Sequence, residues 1–278
     1  MDLQRTALTM IAAVLAAGPL FAQQLPDNVQ VHGFAGWAYG STDGNSYLLG
    51  TEEGTWDNVN FSLNLNAMLG ERLMIAAQAE WVMDAGTSTT DLDYVFAQWR
   101  FGNSFFFRVG QVQQPFGIYT EIYDVGTLRP FLNLPQGIYG PSGFVAESYF
   151  GAGLTGDFFT SSNWTFSYDL YIGQLDTPMH HWVMNFDWQT GLPLERDTAF
   201  SFTNVFGARL VVETPVTGLS FGTSLYSGNP EEVDEGSAGF AFQGRRTVVG
   251  LQAEFINNAW WIRSEWVNIA KGSSSLDG

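Results

Sequence analysis

From residue 59 to residue 69, every odd position is apolar and four of the five even positions are polar. Successive side chains of a β-strand point to opposite faces of the sheet. The pattern therefore predicts a strand with one apolar face and one polar face. Asparagine occupies three of the polar positions, Asn60, Asn64 and Asn66. The segment predicts a β-sheet whose two faces meet different environments.

The same alternation recurs along the chain and predicts about eleven antiparallel strands. They cover residues 29–39, 59–69, 73–84, 95–101, 105–109, 149–158, 164–172, 202–212, 219–226, 247–255 and 259–269. Short connections at 70–71, 102–103, 160–163, 215–218 and 257–258 alternate with longer ones, which include residues 85–90 and 173–198. Short turns at one end and longer loops at the other are typical of bacterial outer-membrane barrels.

The start of the chain points to export. Residues 1–22 have the features of a secretory signal peptide, with Arg5, a short apolar core and Ala22 as the last residue of the leader. An N-terminal membrane anchor is the alternative. No later segment has the roughly 20 apolar residues that a spanning helix needs, and a closed barrel is the other way to cross a bilayer.

These features together predict an all-β protein, with residues 23–278 forming a transmembrane antiparallel β-barrel in the outer membrane of a Gram-negative bacterium. Its apolar face would contact lipid and its polar face would line a water-filled lumen. Single-chain bacterial barrels have even numbers of strands, and the chain ends in a polar run over residues 271–278. We therefore expect the barrel to be truncated on its C-terminal side. A soluble β-sandwich is the competing interpretation.

The composition narrows the functional classes. A net charge of −17 argues against nucleic acid, whose phosphates would be repelled. The absence of cysteine excludes a disulfide framework and any thiolate metal site. Signature motifs for a zinc site, a phosphate loop or a serine hydrolase are absent. We expect no cofactor and no metal.

Basic residues are scarce, so their positions are informative. Five arginines fall on predicted strands or at their edges, at positions that alternate with the lipid-facing set: Arg100, Arg108, Arg209, Arg246 and Arg263. A charge on the lipid face near mid-membrane costs about 2–4 kcal/mol. We therefore expect these arginines to face inward and line the pore. For Arg100 and Arg246, a place at a strand end near the head groups is an equal alternative.

The longest connection, residues 114–148, is too apolar to extend freely into water. Loops of this length without regular structure are usually functional. We expect it to fold into the lumen as a constriction loop, with Phe116, Ile118, Tyr119 and Phe131 packed on the wall. Glu121 and Asp124 would then face the arginines across the narrowest section, where opposed charges create a transverse field.

The run R-V-G-Q-V-Q-Q-P-F-G-I-Y at residues 108–119 resembles the strand-to-loop junction of bacterial outer-membrane porins, especially the phosphate-selective O and P type. D-V-G-T-L-R-P-F at 124–131 and V-A-E-S-Y at 145–149 are similar to loop sequences of that group. The resemblance implies a sixteen-stranded, trimeric barrel whose third loop narrows the pore. Phosphate-selective members carry basic residues on that loop. Here the loop has one basic residue, Arg129, and three acidic residues, Glu121, Asp124 and Glu147. This composition argues against phosphate selectivity.

The favoured function is passive diffusion of small hydrophilic or charged solutes. An outer-membrane hydrolase is one alternative, for which His180 and His181 in the long loop 173–198 are candidates beside His32. A non-conducting barrel for adhesion or anchoring is the other. Trp182 and Trp188 in the same loop are candidates for stacking on sugars.

Overall fold

The computed structural model describes residues 26–43, 52–84, 87–120, 134–139, 145–186, 193–232 and 245–271. Its strands are β1 (Val29–Gly40), β2 (Thr55–Leu69), β3 (Leu73–Asp84), β4 (Thr87–Arg100), β5 (Phe106–Gln113), β6 (Ser148–Phe159), β7 (Thr165–Phe186), β8 (Pro193–Glu213), β9 (Leu219–Glu232), β10 (Arg246–Ile256) and β11 (Trp261–Lys271). One short helix, α1 (Gln136–Tyr139), lies in the connection between β5 and β6. No helix in the described part of the chain is long and apolar enough to cross a membrane.

All eleven strands belong to one antiparallel sheet, in which each strand pairs with the next along the chain. The predicted all-β antiparallel fold and the predicted number of strands in this chain are therefore confirmed. Within the described residues the sheet is open, because β1 pairs only with β2 and β11 pairs only with β10. Every connection in this topology joins neighbouring strands, as in an up-and-down barrel wall.

Short connections occur at one end of the sheet, at 70–72, 101–105, 160–164, 214–218 and 257–260. In the first of them, Gly70 has a φ of 83°, a left-handed conformation that glycine adopts without steric cost. The second is wider than the predicted two-residue turn at 102–103, because the Phe101 amide N donates to the Phe105 carbonyl (3.1 Å). The longer connections that the structure describes in part all leave from the opposite end.

The two faces of the sheet differ as the alternation predicts. We call the face that residues 114–120 and α1 cover the inner face, and the opposite one the outer face. In β2, Leu63 and Leu65 are exposed on the outer face, whereas Ser62 is fully buried on the inner face. Large exposed side chains of the outer face include Trp37, Trp99, Phe150, Phe221 and Trp266. An apolar surface of this extent is unfavourable in water.

The prediction of a long outer loop over residues 173–198 is wrong. β7 continues to Phe186 and β8 begins at Pro193, and the two strands stay paired through several register shifts. The predicted loop 85–90 is also shorter, since β4 begins at Thr87. Strands of 22 and 21 residues far exceed the ~9–11 residues that span a bilayer. The alternation pattern did not predict that β7 and β8 stay paired beyond residue 173.

A register shift in β4 sends one acidic residue inward. Gln78 pairs with Tyr94 and Ala79 with Leu92, which leaves Asp93 as an extra, bulged residue. Its side chain is buried and accepts a hydrogen bond from the Gln78 amide, at 2.6 Å between Nε2 and Oδ2. Bulges re-aim side chains at functional places in sheets, and this one adds a carboxyl to the inner face.

Glycines on the inner face make room for aromatic rings. A Cβ added at Gly207 would lie 2.1 Å from the Tyr171 ring. Tyr171 is buried and stacks on Tyr149, with 4.7 Å between ring centroids. The ring of Tyr171 therefore occupies the space that any larger residue at 207 would need.

We expect Gly207→Ala to lower the free energy of unfolding by about 1–3 kcal/mol, the usual cost of overpacking a closed site. Denaturant titration of the detergent-folded protein measures this change. Gly102→Ala is the matched control, because a Cβ there has no neighbour within 4 Å among the described atoms. Equal stability of the two variants would contradict the proposed packing.

Candidate functional site

Polar side chains of β2, β3 and β4 form a hydrogen-bonded network on the inner face. The Asn60 amide donates to Glu80 (Nδ2 to Oε1, 3.1 Å), and the Tyr94 hydroxyl donates to Asn64 (2.7 Å). Buried polar groups are stable only when they are hydrogen-bonded. This half of the inner face is built for contact with water or polar solutes.

The connection between β5 and β6 covers the other half of the inner face. Its described parts contribute six residues to the hydrophobic core: Phe116, Tyr119, Leu134, Tyr139, Val145 and Ala146. The strands contribute the rest of that core: Val112, Tyr149, Tyr171, Leu175, Phe202, Val205, Tyr226 and Val248. Phe116 is fully buried and meets Tyr226 of β9 edge to face, at 5.8 Å between centroids. The inward-folded loop of the predicted fold is thus present in the described residues.

The segment 116–120 is held to the far side of the sheet by hydrogen bonds. The Gly117 amide donates to the Ser224 hydroxyl of β9 (3.1 Å), and the Ile118 amide donates to Glu265 Oε1 of β11 (2.7 Å). A loop that leaves β5 therefore reaches across the inner face to β9 and β11. This crossing narrows the space that the inner face borders.

Tyr139 of α1 completes the attachment. Its hydroxyl donates to Glu265 Oε1 (2.6 Å) and accepts hydrogen bonds from the amides of Ile118 (3.0 Å) and Tyr119 (3.2 Å). Burial, with the Glu265 carboxylate beside it, raises the pKa of the Tyr139 hydroxyl well above its ordinary value. The hydroxyl therefore stays protonated and remains a donor at any physiological pH.

Gln114 fixes both ends of the connection at its base. Its backbone N donates to the Glu147 carbonyl (3.1 Å), and its side-chain oxygen accepts from the Ala146 amide (2.7 Å). Its side-chain nitrogen donates to the Tyr171 hydroxyl (2.8 Å). Gln114 is fully buried, so all three bonds form in a setting where unmade hydrogen bonds are costly.

Three of the predicted pore-lining arginines lie on the inner face. The Arg108 side chain donates to Gln98 (Nε to Oε1, 2.8 Å) and lies over the Phe96 ring. Arg209 lies 3.9 Å from Asp169 (Nη1 to Oδ2). Asp169 also lines a small cleft beside Arg108, so these two arginines share one carboxylate neighbour.

Arg263 lies on β11, where it forms an ion pair with Glu254 of β10, at 2.9 Å between Nε and Oε2. Its guanidinium stands 5.3 Å above the Tyr119 ring. This brings a strand arginine directly against the inward-folded segment. The contact joins one predicted wall residue to one predicted constriction-loop residue.

The other two predicted arginines lie at strand ends, and four predicted loop residues lie outside the described part of the chain. Arg100 is the last residue of β4 and is exposed beside a short turn, while Arg246 is the first residue of β10 and half-buried. Glu121, Asp124 and Arg129 lie outside the described residues, as does Phe131. Their predicted placement opposite the arginines stays a prediction.

The sequence analysis did not identify the acidic residues that contact the arginines and the inward-folded loop, which are Asp169, Glu254 and Glu265. For Glu265 the sequence does contain a signal. Glu265 follows Arg263 at a spacing of two, so period-two alternation places both on the same face. Asp169 and Glu254 are revealed only by strand register, which pairs them with Arg209 and Arg263. The inward direction of the Asp93 side chain depends on the bulge in β4.

The inner face of β3 and β4 carries acids that lie next to one another. Glu80 and Asp91 are directly opposite in the register, and the bulged Asp93 follows on the same strand as Asp91. Like charges directly opposite each other destabilise a sheet. Glu80 accepts a hydrogen bond from the uncharged Asn60 amide and Asp91 is exposed, so these two carboxylates give this side of the lumen a negative potential.

The described residues show no arrangement of side chains that supports the enzyme interpretation. His32 lies on β1 opposite Asn64, and His180 and His181 lie on β7. No cluster of three or more histidine and acidic side chains capable of holding a metal occurs in the described part of the chain. Trp182 lies on β7, and Trp188 lies outside the described residues.

Comparisons with known proteins give a sparse result. No protein-family model matches the chain, and no curated protein matches it. Among solved structures, the chain is similar to OmpT of Vibrio cholerae with loop L8 deleted (10% identity, 87% of this chain and 82% of that chain, TM-score 0.38). It is also similar to the trimer form of OmpT (9%, 88% and 79%, TM-score 0.39) and to Salmonella typhi OmpF in complex with daunomycin (10%, 82% and 79%, TM-score 0.28). Likenesses this distant carry no argument about activity or assembly.

Proposed function

We propose that this chain forms the wall of an outer-membrane β-barrel of a Gram-negative bacterium and serves as a porin for small hydrophilic or charged solutes. The observation that carries the proposal is the arrangement of the two faces. Large apolar side chains such as Trp37 and Trp266 are exposed on the outer face, while charged and amide side chains occupy the inner face. Such a sheet is stable with lipid outside and water inside.

The inward-folded loop supports a channel with a constriction. Residues 116–120 and α1 pack against β9, β10 and β11, where Ser224 and Glu265 hold them. A loop fixed across the inner face limits the size of a passing solute. The charged groups on either side of it, Arg263 and Glu265 on one strand and Glu80 on another, provide the field that acts on ions.

The test is single-channel conductance in a planar bilayer, with reversal potentials measured in a salt gradient on the complete gene product. We expect discrete conductance steps and a reversal potential away from zero. A protein that inserts stably but conducts no ions would contradict the porin function and favour the adhesion or anchoring barrel. Hydrolytic activity lost on substituting His180 or His181 would favour the enzyme.

Several features of the proposed assembly rest on sequence alone. These are the cleavage of the leader after Ala22, the sixteen strands that the resemblance implies for the barrel, and a homotrimer. The outer-membrane location follows from the leader together with the apolar outer face. We expect the mature protein to start near Gln23 and to fractionate with the outer membrane.

A further inference from the structure

The outer face carries a groove that the channel function does not use. It spans β4 to β8, has a volume of about 920 Å³ and is open to the surroundings. Three glycines, Gly110, Gly151 and Gly173, lie in one register row across β5, β6 and β7. The walls of the groove are apolar: Val95, Val109, Phe150, Ile172 and Phe206.

The three glycines contribute backbone to the floor of the groove, because they alternate with the outward-facing Val109, Phe150 and Ile172 and their own side-chain positions face inward. A Cβ at Gly110 would lie 2.4 Å from the Val95 carbonyl oxygen, and one at Gly151 would lie 2.0 Å from that of Ile172. Gly110 and Gly173 also have φ values of 131° and 156°, which disfavour residues with side chains. Larger residues at these positions would therefore push the neighbouring strands apart.

A cation stands at one end of this apolar groove. The Arg245 guanidinium lies 5.0 Å from the Phe206 ring and donates through Nη2 to the Asn204 carbonyl (3.0 Å). Both residues line the groove. Arg245 also donates through Nε to the Ser227 hydroxyl (2.8 Å). Its side chain is exposed, and among the described residues its Nη1 has no hydrogen-bond acceptor.

The position of Arg245 matches a membrane interface. It precedes β10 at the end of the sheet opposite the short turns. An arginine on the lipid side costs little near the head groups, whereas it costs several kcal/mol at mid-membrane. In the orientation of the proposed barrel, this end borders the outer leaflet. A second polar residue, Gln111, lines the same groove, and its side-chain nitrogen donates to the Leu92 carbonyl (2.7 Å).

We propose that this groove binds a phosphorylated glycolipid of the outer leaflet, of the lipid A type. One acyl chain lies along the apolar walls over the glycine row, and a phosphate of the head group accepts hydrogen bonds from Arg245. A guanidinium suits this role, because its fork of N–H donors matches phosphate oxygens and no described residue accepts a hydrogen bond from Nη1. The inference rests on the membrane location in the proposed function, not on conduction.

The experiment is native mass spectrometry of the full chain in detergent micelles with added bisphosphorylated lipid A. Two variants test the two halves of the site. Arg245→Gln should lower the affinity about tenfold or more, since a charge-assisted hydrogen bond is lost, and should leave the weaker binding of dephosphorylated lipid A unchanged. Ala152→Phe places a large side chain in the groove and should weaken binding of both forms.

Arg72→Gln is the matched control, because Arg72 is an exposed arginine in the turn between β2 and β3, at the other end of the sheet. It should bind lipid A as the wild type does. Dioleoylphosphatidylglycerol serves as the second probe; binding as tight as that of lipid A would overturn the assignment to the glycolipid. Wild-type affinity in Arg245→Gln or in Ala152→Phe would overturn the site.

The groove has one rival occupant, a second copy of this chain. If Ala152→Phe dissociates an oligomer in the absence of lipid while lipid A binding is unaffected, the groove is a protein interface and the proposal is wrong. Conductance separates the inference from the proposed function. A wild-type protein that conducts normally but does not bind lipid A overturns the inference alone, whereas a wild-type protein that never inserts into bilayers overturns the proposed function.

Discussion

Replacing Glu265 by alanine is expected to release the inward-folded loop and raise the single-channel conductance. The carboxylate accepts hydrogen bonds from the Tyr139 hydroxyl and the Ile118 amide, at 2.6 and 2.7 Å. Hydrogen bonds to a charged group each contribute about 1.5–3 kcal/mol. Losing them should lower the ratio of attached to detached loop at least tenfold. Single-channel recordings should show larger, noisier openings.

Two controls separate loop attachment from a simple loss of charge. Glu265→Gln keeps a side-chain oxygen that can accept from Tyr139, so its conductance should stay close to that of the wild type. Glu213→Ala removes an exposed acid at the end of β8 and should have no effect on opening size. If Glu265→Ala conducts like Glu213→Ala, the loop is not held by Glu265 and does not set the size of the pore.

Neutralising the acids of β3 and β4 is expected to shift the ion preference toward anions. Glu80 and Asp91 are opposite one another on the inner face, with Asp93 close by. The arginines of the described wall have acidic neighbours, Asp169 for Arg209 and Glu254 for Arg263. The net field in the lumen should therefore favour cations.

The variant for this test is Glu80→Gln with Asp91→Asn, and the measurement is the reversal potential in a salt gradient. A cation about 8 Å from one carboxylate gains about 0.5 kcal/mol in a water-filled lumen, at a dielectric constant near 80, and the variant removes two such carboxylates. The permeability ratio should thus change several-fold. Interactions in a narrow pore are screened less than those on a surface, so the shift should persist at ordinary salt.

Substitutions of the arginines should act in the opposite direction. Arg108→Gln with Arg209→Gln should increase cation preference, because it removes positive charge from the same lumen. Glu121→Gln with Asp124→Asn extends the test to the predicted constriction residues outside the described part. If all three double variants keep the wild-type reversal potential, these charges do not border the ion path.

The sequence by itself determined the class of the fold and the direction of most side chains. Period-two alternation placed Leu63 outside and Ser62 inside before any strand was paired, because successive residues of a strand must point to opposite faces. It also placed Arg108, Arg209 and Arg263 on the inner face. The apolar character of the connection 114–148 predicted that it would pack inward, and the described residues 114–120 do so.

Only the tertiary structure decided which residues meet across the sheet. Glu265 lies 147 positions from Ile118, and no local pattern encodes a contact over that distance. The bulge that turns Asp93 inward and the extension of β7 and β8 through residues 173–198 depend on pairing with neighbouring strands. The glycine row formed by Gly110, Gly151 and Gly173 exists only in register. Alternation fixes the face of each residue, whereas register, bulges and loop packing arise from contacts between distant segments.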